Sequence, residues 1–132
     1  MATTVDITEH FLVPPRIIYE CLNDPERLTA LMQSPVQYKA VVGEEFVLFG
    51  GAVSGKVKEL DKNKKIEYLW RFNTWPKEKY STVIITLEEG DESEEETELH
   101  LIQTGVEHHD LERTEGGWRI MYFERMKKMF GY

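Results

Sequence analysis

The chain has 132 residues, 41% of them hydrophobic and 30% charged, with 16 Lys+Arg against 24 Asp+Glu and a formal net charge of −8. This length fits one domain, 1–132, with its own core, and the lone cysteine, Cys21, excludes an intrachain disulfide and fits a reducing, cytoplasmic setting. No signal peptide, no run of ~18 apolar residues and no basic face is visible, so neither a membrane nor nucleic acid is expected as a partner.

Val5, Ile7 and Phe11 alternate with Thr4, Asp6, Thr8 and His10, and this period of two predicts a first strand. Pro14-Pro15 ends it, since proline brings no N–H to a ladder. Ile18, Cys21 and Leu22 then fall at i, i+3, i+4, the stripe of a short helix. Asp24-Pro25-Glu26 starts a second helix. It supplies an acceptor for free N–H groups, a residue preset for the first turn and a carboxylate at the positive end of the dipole. Leu28, Leu31 and Met32 give this helix its apolar stripe, and Ser34-Pro35 stops it.

Strands are predicted next at Tyr38–Val42, Phe46–Phe49, Ala52–Leu60, Ile66–Asn73, Ser81–Leu87 and Thr97–Gln103. Gly43-Glu44, Gly50-Gly51 and Asp61-Lys62-Asn63-Lys64 are turns, and Trp75–Lys79 is a loop. The last two strands flank Glu88, Glu89, Asp91, Glu92, Glu94, Glu95, Glu96 and Glu98, eight acids with no base among them. Setting these aside leaves 16 acids and 16 bases, so the acidity is one local feature, read as a solvated hairpin loop.

From about Leu111 the pattern turns helical, with Trp118, Tyr122, Met126 and Phe130 at steps of four and Phe123 and Met129 beside them. Lys127 and Lys128 suit the negative end, and Gly131 is the expected stop. Gly116-Gly117 costs about 1 kcal/mol per glycine against alanine, which a local break or a close backbone approach explains. One strand, two short helices, six strands and a long helix predict an α+β helix-grip fold. Its antiparallel sheet has about seven strands, and the C-terminal helix lies across it.

No residue pattern here supports catalysis. His108-His109-Asp110 is the one ligand-like cluster, but adjacent side chains diverge and no second motif stands at ligand spacing, so no metal or other cofactor is expected. Asp110 is read as the cap of the last helix, with Thr114 as the alternative. His10 and His100, outward on neighbouring strands, predict a cross-strand pair. Cys21 is read as a small core residue and Glu44-Glu45 as a solvated hairpin tip. Tyr68, Trp70 and Phe72 share one strand face. With Trp118, Tyr122 and Phe123 they either fill the space between sheet and helix or line a ligand cavity, for which Glu9 has inward parity. Trp75 is either a lid folded back on the core or an exposed anchor rimmed by Lys77 and Lys79, with Tyr80 beside it.

The runs Val53-Ser54-Gly55, Glu59-Leu60 and Trp70-Arg71-Phe72-Asn73-Thr74-Trp75-Pro76 resemble the activator of heat-shock protein 90 ATPase family, specifically its C-terminal domain. Tyr80-Ser81-Thr82 and the ending Gly117-Trp118, Tyr122-Phe123-Glu124, Phe130-Gly131-Tyr132 carry the same resemblance, which runs from about Ile7 to Tyr132. The family lies in the START-like, birch-allergen-like superfamily of helix-grip folds. The resemblance implies a non-enzymatic co-chaperone that binds heat-shock protein 90 and modulates its ATPase cycle by favouring the closed, N-terminally dimerised conformer. Activators of the family commonly have a separate N-terminal domain that docks on the chaperone's middle segment. The C-terminal type uses all 132 residues here, so a stand-alone, monomeric module is expected. Candidate contacts are Trp75, Lys77, Lys79 and Tyr80 in the loop and Arg125, Lys127 and Lys128 on the last helix. The alternative is a carrier of a small apolar ligand, its cavity lined by Glu9, Tyr68, Trp70, Phe72, Trp118, Tyr122 and Phe123, as in the superfamily's lipid-binding members.

Overall fold

A computed structural model describes residues 3–131; Met1, Ala2 and Tyr132 lie outside the described residues. The elements are β1 (Val5–Phe11), α1 (Pro15–Asn23), α2 (Pro25–Met32), β2 (Glu45–Leu48), β3 (Val53–Asp61), β4 (Lys65–Phe72), β5 (Ser81–Glu89), β6 (Thr97–Thr104) and a final helix, α3. The last runs through three segments, Leu111–Gly117, Trp118–Glu124 and Arg125–Met129. The strands form one antiparallel sheet in the order β1-β6-β5-β4-β3-β2, with the first strand paired to the last. The fold is the expected α+β helix grip, with six strands among the described residues rather than seven.

The missing strand is Tyr38–Val42. Only Gln37 bridges to Val47, through two hydrogen bonds of 2.9 Å. The chain then bends, leaving Val41 and Val42 exposed. Gly43 donates its N–H to Val57 O at 2.8 Å, so the expected hairpin turn is attached to β3 instead. The apolar content of 38–42 suits a strand, but its ladder with the edge strand β2 stops at the single Gln37–Val47 bridge, and the chain turns away to attach to β3 at Gly43.

Elsewhere the local chemistry acts as read. Asp24 accepts a hydrogen bond from the Glu26 N–H at 3.0 Å at the start of α2. On β4, Ile66, Tyr68, Trp70 and Phe72 are buried while the residues between them are partly exposed. Gly55 on β3 is required by a close approach, since a Cβ there would lie 1.9 Å from Leu69 O and 2.5 Å from Phe46 Cζ. Gly116-Gly117 produces neither of the expected outcomes. Gly117 is helical (φ −61°, ψ −46°), and a Cβ on either glycine would meet nothing within 4 Å. The helix runs on into a widened, π-type turn over Trp118–Glu124. Gly131, at φ +92°, closes it by donating to Lys128 O, as expected of the stop.

A buried polar chain ties α3 to the sheet. Trp118 Nε1 donates to Gln103 Oε1 (2.7 Å), Gln103 Nε2 to Ser81 Oγ (2.8 Å), and Ser81 Oγ to Trp70 O (2.7 Å). Each member is satisfied, so the chain orients the helix without leaving a buried group unpaired. At the other end Arg125 Nη1 donates to the carbonyls of Leu31 and Met32, at 3.1 and 3.0 Å, and binds α3 to the end of α2.

Candidate functional site

The β4–β5 loop, residues 73–80, is the most heavily constrained connection next to α3. The rings of Trp70, Phe72 and Trp75 meet edge to face, with centroids 4.8, 5.8 and 5.9 Å apart. Trp75 is 3% exposed, and its indole N–H donates to Asp110 Oδ2 at 2.7 Å. Asp110 stands just before α3, flanked by Arg113 at 3.7 Å and His109 at 3.4 Å. Arg113 also lies 3.9 Å over the Phe72 ring, a cation–π contact that seals the cluster from outside. Arg71 completes the arrangement. Its guanidinium donates to the carbonyls of Trp75 (2.6 Å), Pro76 (3.3 Å) and Lys79 (3.3 Å) and rests 6.0 Å from the Tyr80 ring. The result is a held tip on which Lys77, Glu78, Lys79 and Tyr80 are exposed.

Trp75 is therefore the folded-back lid, and the alternative of an exposed anchor is corrected: a buried indole needs an acceptor, and Asp110 provides one. Asp110 occupies the cap position of α3, yet its carboxylate makes no capping bond because Trp75 holds it. Its backbone carbonyl accepts instead from Thr114 Oγ1 at 2.7 Å. The cationic end of α3 separates into two kinds. Lys128 is exposed. Arg125 is engaged by α2, and Lys127 Nζ pairs with Glu9 Oε1 at 3.0 Å. Glu9, read as a polar group inside a cavity, thus faces the edge of α3, and its charge is met there.

The expected pair of His10 and His100 does not form. The β1–β6 register sets Thr8 opposite His100 and His10 opposite Glu98. His100 Nε2 instead lies 2.7 Å from Asp6 Oδ1, and His10 Nε2 3.3 Å from Glu96 Oε1.

A half-open groove of about 330 Å³ remains along the first half of α3, among Trp70, Phe72, Trp118 and Tyr122, but the interior between sheet and helix is filled. Its enclosed void, bounded by side chains such as Leu22, Leu28, Tyr38, Tyr68, Trp70 and Tyr122, measures about 10 Å³, room for about one water molecule. Phe123 is fully buried against Phe11 and Trp118. Tyr38 donates to Asn23 Oδ1, and burial pushes its hydroxyl up to about 12. Burial also raises Tyr68 and Tyr122 well above the ordinary phenol range. Burial likewise lifts the Cys21 thiol to about 11. These groups stay protonated near neutral pH and offer no ready base or nucleophile. Among the described residues no group of three or more His, Cys, Asp or Glu side chains is arranged to hold a metal ion, and no helix is long and apolar enough to cross a membrane.

The structure adds three residues to those singled out from sequence: Arg71, Asp110 as an acceptor, and Gln103. A buried loop tryptophan demands an acceptor, which is a usable signal, but it does not say which of the many acids answers it.

Known proteins give this geometry a context. The family described as "Activator of Hsp90 ATPase homolog 1-like protein" matches residues 12–131. The chain is 33% identical over 128 residues to the human "Activator of 90 kDa heat shock protein ATPase homolog 1", covering 97% of this chain and 37% of that protein. It is 28% identical over 135 residues to the Saccharomyces cerevisiae "Hsp90 co-chaperone AHA1", covering 99% and 38%. The chain thus spans little more than a third of these relatives' lengths. A crystal structure described as an HSP90 activator from Plasmodium falciparum superposes with a TM-score of 0.90 at 29% identity, covering 98% of this chain and 97% of that one.

Proposed function

The chain belongs to the Activator of Hsp90 ATPase homolog 1-like family, and on that premise we propose that it is a co-chaperone that binds Hsp90 and modulates its ATPase cycle. The likeness to the Plasmodium falciparum activator over nearly the whole of both chains carries the reading. The same proposal takes the module to act as a monomer in the reducing cytoplasm. The protein's own chemistry is binding; relatives are named activators and co-chaperones. Hydrolysis belongs to the chaperone, and this chain alters its rate by binding one conformer more tightly than another, the closed state being the one favoured.

The proposed contacts are the exposed Lys77, Lys79 and Tyr80 of the held loop, with Lys128 on α3. Trp75 acts by fixing the loop, and Arg125 and Lys127 act within the fold. The test is ATPase turnover of purified Hsp90 with and without the chain, alongside nucleotide-dependent binding. A rise in turnover and affinity at roughly tens of micromolar or tighter supports the reading. No binding at that concentration sinks it. Lys77→Glu with Lys79→Glu should weaken binding and flatten its dependence on salt, because both charges lie on the solvated tip.

A further inference from the structure

The β5–β6 loop, residues 90–96, has no part in the proposed function, and a serine stands at its centre. Ser93 follows Asp91 and Glu92 and precedes Glu94, Glu95 and Glu96. No other serine or threonine in the chain has carboxylates at all three positions that follow it. Thr86 comes nearest, with Glu88 and Glu89 at the second and third positions.

The structure separates these two hydroxyls. Thr86 lies inside β5, paired with Lys65 on one side and His100 on the other, and its Oγ1 donates to His100 O at 3.4 Å. Thr97, the next hydroxyl after the loop, is fully buried and donates to Val13 O at 2.7 Å. Ser93 is partly exposed and stands outside the ladder, between exposed Asp91 and Glu92 on one side and exposed Glu94 and Glu95 on the other. Its Oγ accepts from the Glu95 N–H at 3.1 Å, and its own proton has no acceptor among the described residues.

The loop can also be drawn out without cost to the core. The Gly90 N–H donates to Glu96 O at 2.9 Å and the Glu96 N–H to Ser93 O at 3.3 Å, so these bonds and that of Ser93 Oγ all lie within residues 90–96. Opening them leaves the Glu89–Thr97 pair at the base of the ladder in place. Among the described residues, only Glu96 of the five loop carboxylates has an ion-pair partner, His10 at 3.3 Å. The other four are free to meet the cations of a visiting protein.

We infer that Ser93 is a phosphorylation site for a serine kinase with a basic substrate groove that reads the carboxylates after the serine. The γ-phosphoryl group of a nucleoside triphosphate passes to Ser93 Oγ. A P–O bond forms to Oγ as the bond from the γ-phosphorus to the bridging oxygen breaks, the nucleoside diphosphate leaves, and the hydroxyl proton goes to the kinase's base. The product adds about two negative charges at neutral pH to the five carboxylates of the loop. Their repulsion opens the turn while the strands beneath it stay paired.

The test incubates the full chain with casein kinase II and ATP and reads the modified residue by mass spectrometry. One phosphate per chain is expected, on Ser93, with Thr86 unmodified. Ser93→Ala should take up none. Glu94→Gln combined with Glu95→Gln and Glu96→Gln keeps the hydroxyl and the loop's size but removes the charge that is read, and uptake should slow about tenfold. In the phosphorylated chain, amide exchange should quicken at residues 91–96 and stay unchanged at Glu88 and Glu98. No uptake, uptake elsewhere in place of Ser93, a rate indifferent to the three glutamines, or slower exchange in the loop would each overturn the inference.

Discussion

The two loops at the ends of β5 are built on opposite principles. The β4–β5 loop is held through Trp75 to Asp110 and through Arg71 to three carbonyls. The β5–β6 loop carries most of the chain's excess negative charge and is held by little besides its own turn, with Gly90 N–H donating to Glu96 O at 2.9 Å and Glu95 N–H to Ser93 Oγ at 3.1 Å. Of the eight acids expected in the loop, Glu88, Glu89 and Glu98 belong to the ends of β5 and β6, with Glu88 directly opposite Glu98; seven of the eight are exposed. Binding costs less when a surface is already ordered. The net charge of −8 therefore draws notice to the less ordered end of the sheet, while the pre-ordered surface is the one presenting Lys77 and Lys79.

The sharpest way to break this contrast is Trp75→Ala. It removes a buried indole from the Trp70–Phe72 cluster and leaves the Asp110 carboxylate without its donor, so unfolding free energy should fall by about 3–5 kcal/mol in urea titrations. On the proposed function, stimulation of Hsp90 turnover should fall with it even though the ring is buried. Alkaline pH attacks the core instead. Cys21 is held near 11 against 9.0 when free, and Tyr38 near 12 against 10.0. The folded state then keeps protons that the unfolded chain releases. Stability is full below about pH 9 and is lost progressively from there to about pH 12, with Cys21 alone contributing about 2–3 kcal/mol. A flat stability profile across that window would show the thiol to be more exposed than the structure has it. Arg71→Met should cost less, about 1–2 kcal/mol, because its bonds are partly exposed. Hydrogen exchange should nevertheless quicken at residues 76–80 and leave the acidic loop unchanged.

How far the sequence reveals these loops depends on the range of the interactions that shape them. The alternation Ile66, Tyr68, Trp70, Phe72 and the Asp24-Pro25-Glu26 start are local, and both appear as read. The family motif Trp70–Pro76 likewise marks the constrained loop. What holds it lies beyond local pattern, since Asp110 is 35 positions from Trp75. Glu9 and Lys127 are 118 positions apart and have unrelated local contexts, so parity assigns Glu9 to a cavity while charge and expected exposure assign Lys127 to a partner. The widened turn after Gly116-Gly117 leaves no trace in a stripe of period 3.6, because Trp118 and Tyr122 are buried in either geometry. Tyr38–Val42 fails for the opposite reason. Its propensity is that of a strand, but the pairing with β2 ends after one bridge, at Gln37, and the chain bends away.

The smallest effect expected is at the acidic loop, and it tests whether that loop is merely tolerated. Glu88 and Glu98 lie on the same outer face as direct cross-strand neighbours, and both are exposed. Like charges so placed repel, while opposite charges attract, each by roughly 0.2–1 kcal/mol. Glu88→Lys reverses the sign of the pair without touching the core, so it should raise the thermal midpoint slightly. Because the pair is solvated, the gain should shrink as salt is added. Hsp90 binding should be unchanged or stronger, since one negative charge is replaced by a positive one away from the held loop. A loss of binding with the fold intact would make the acidic loop the contact and reverse the comparison between the two ends of β5.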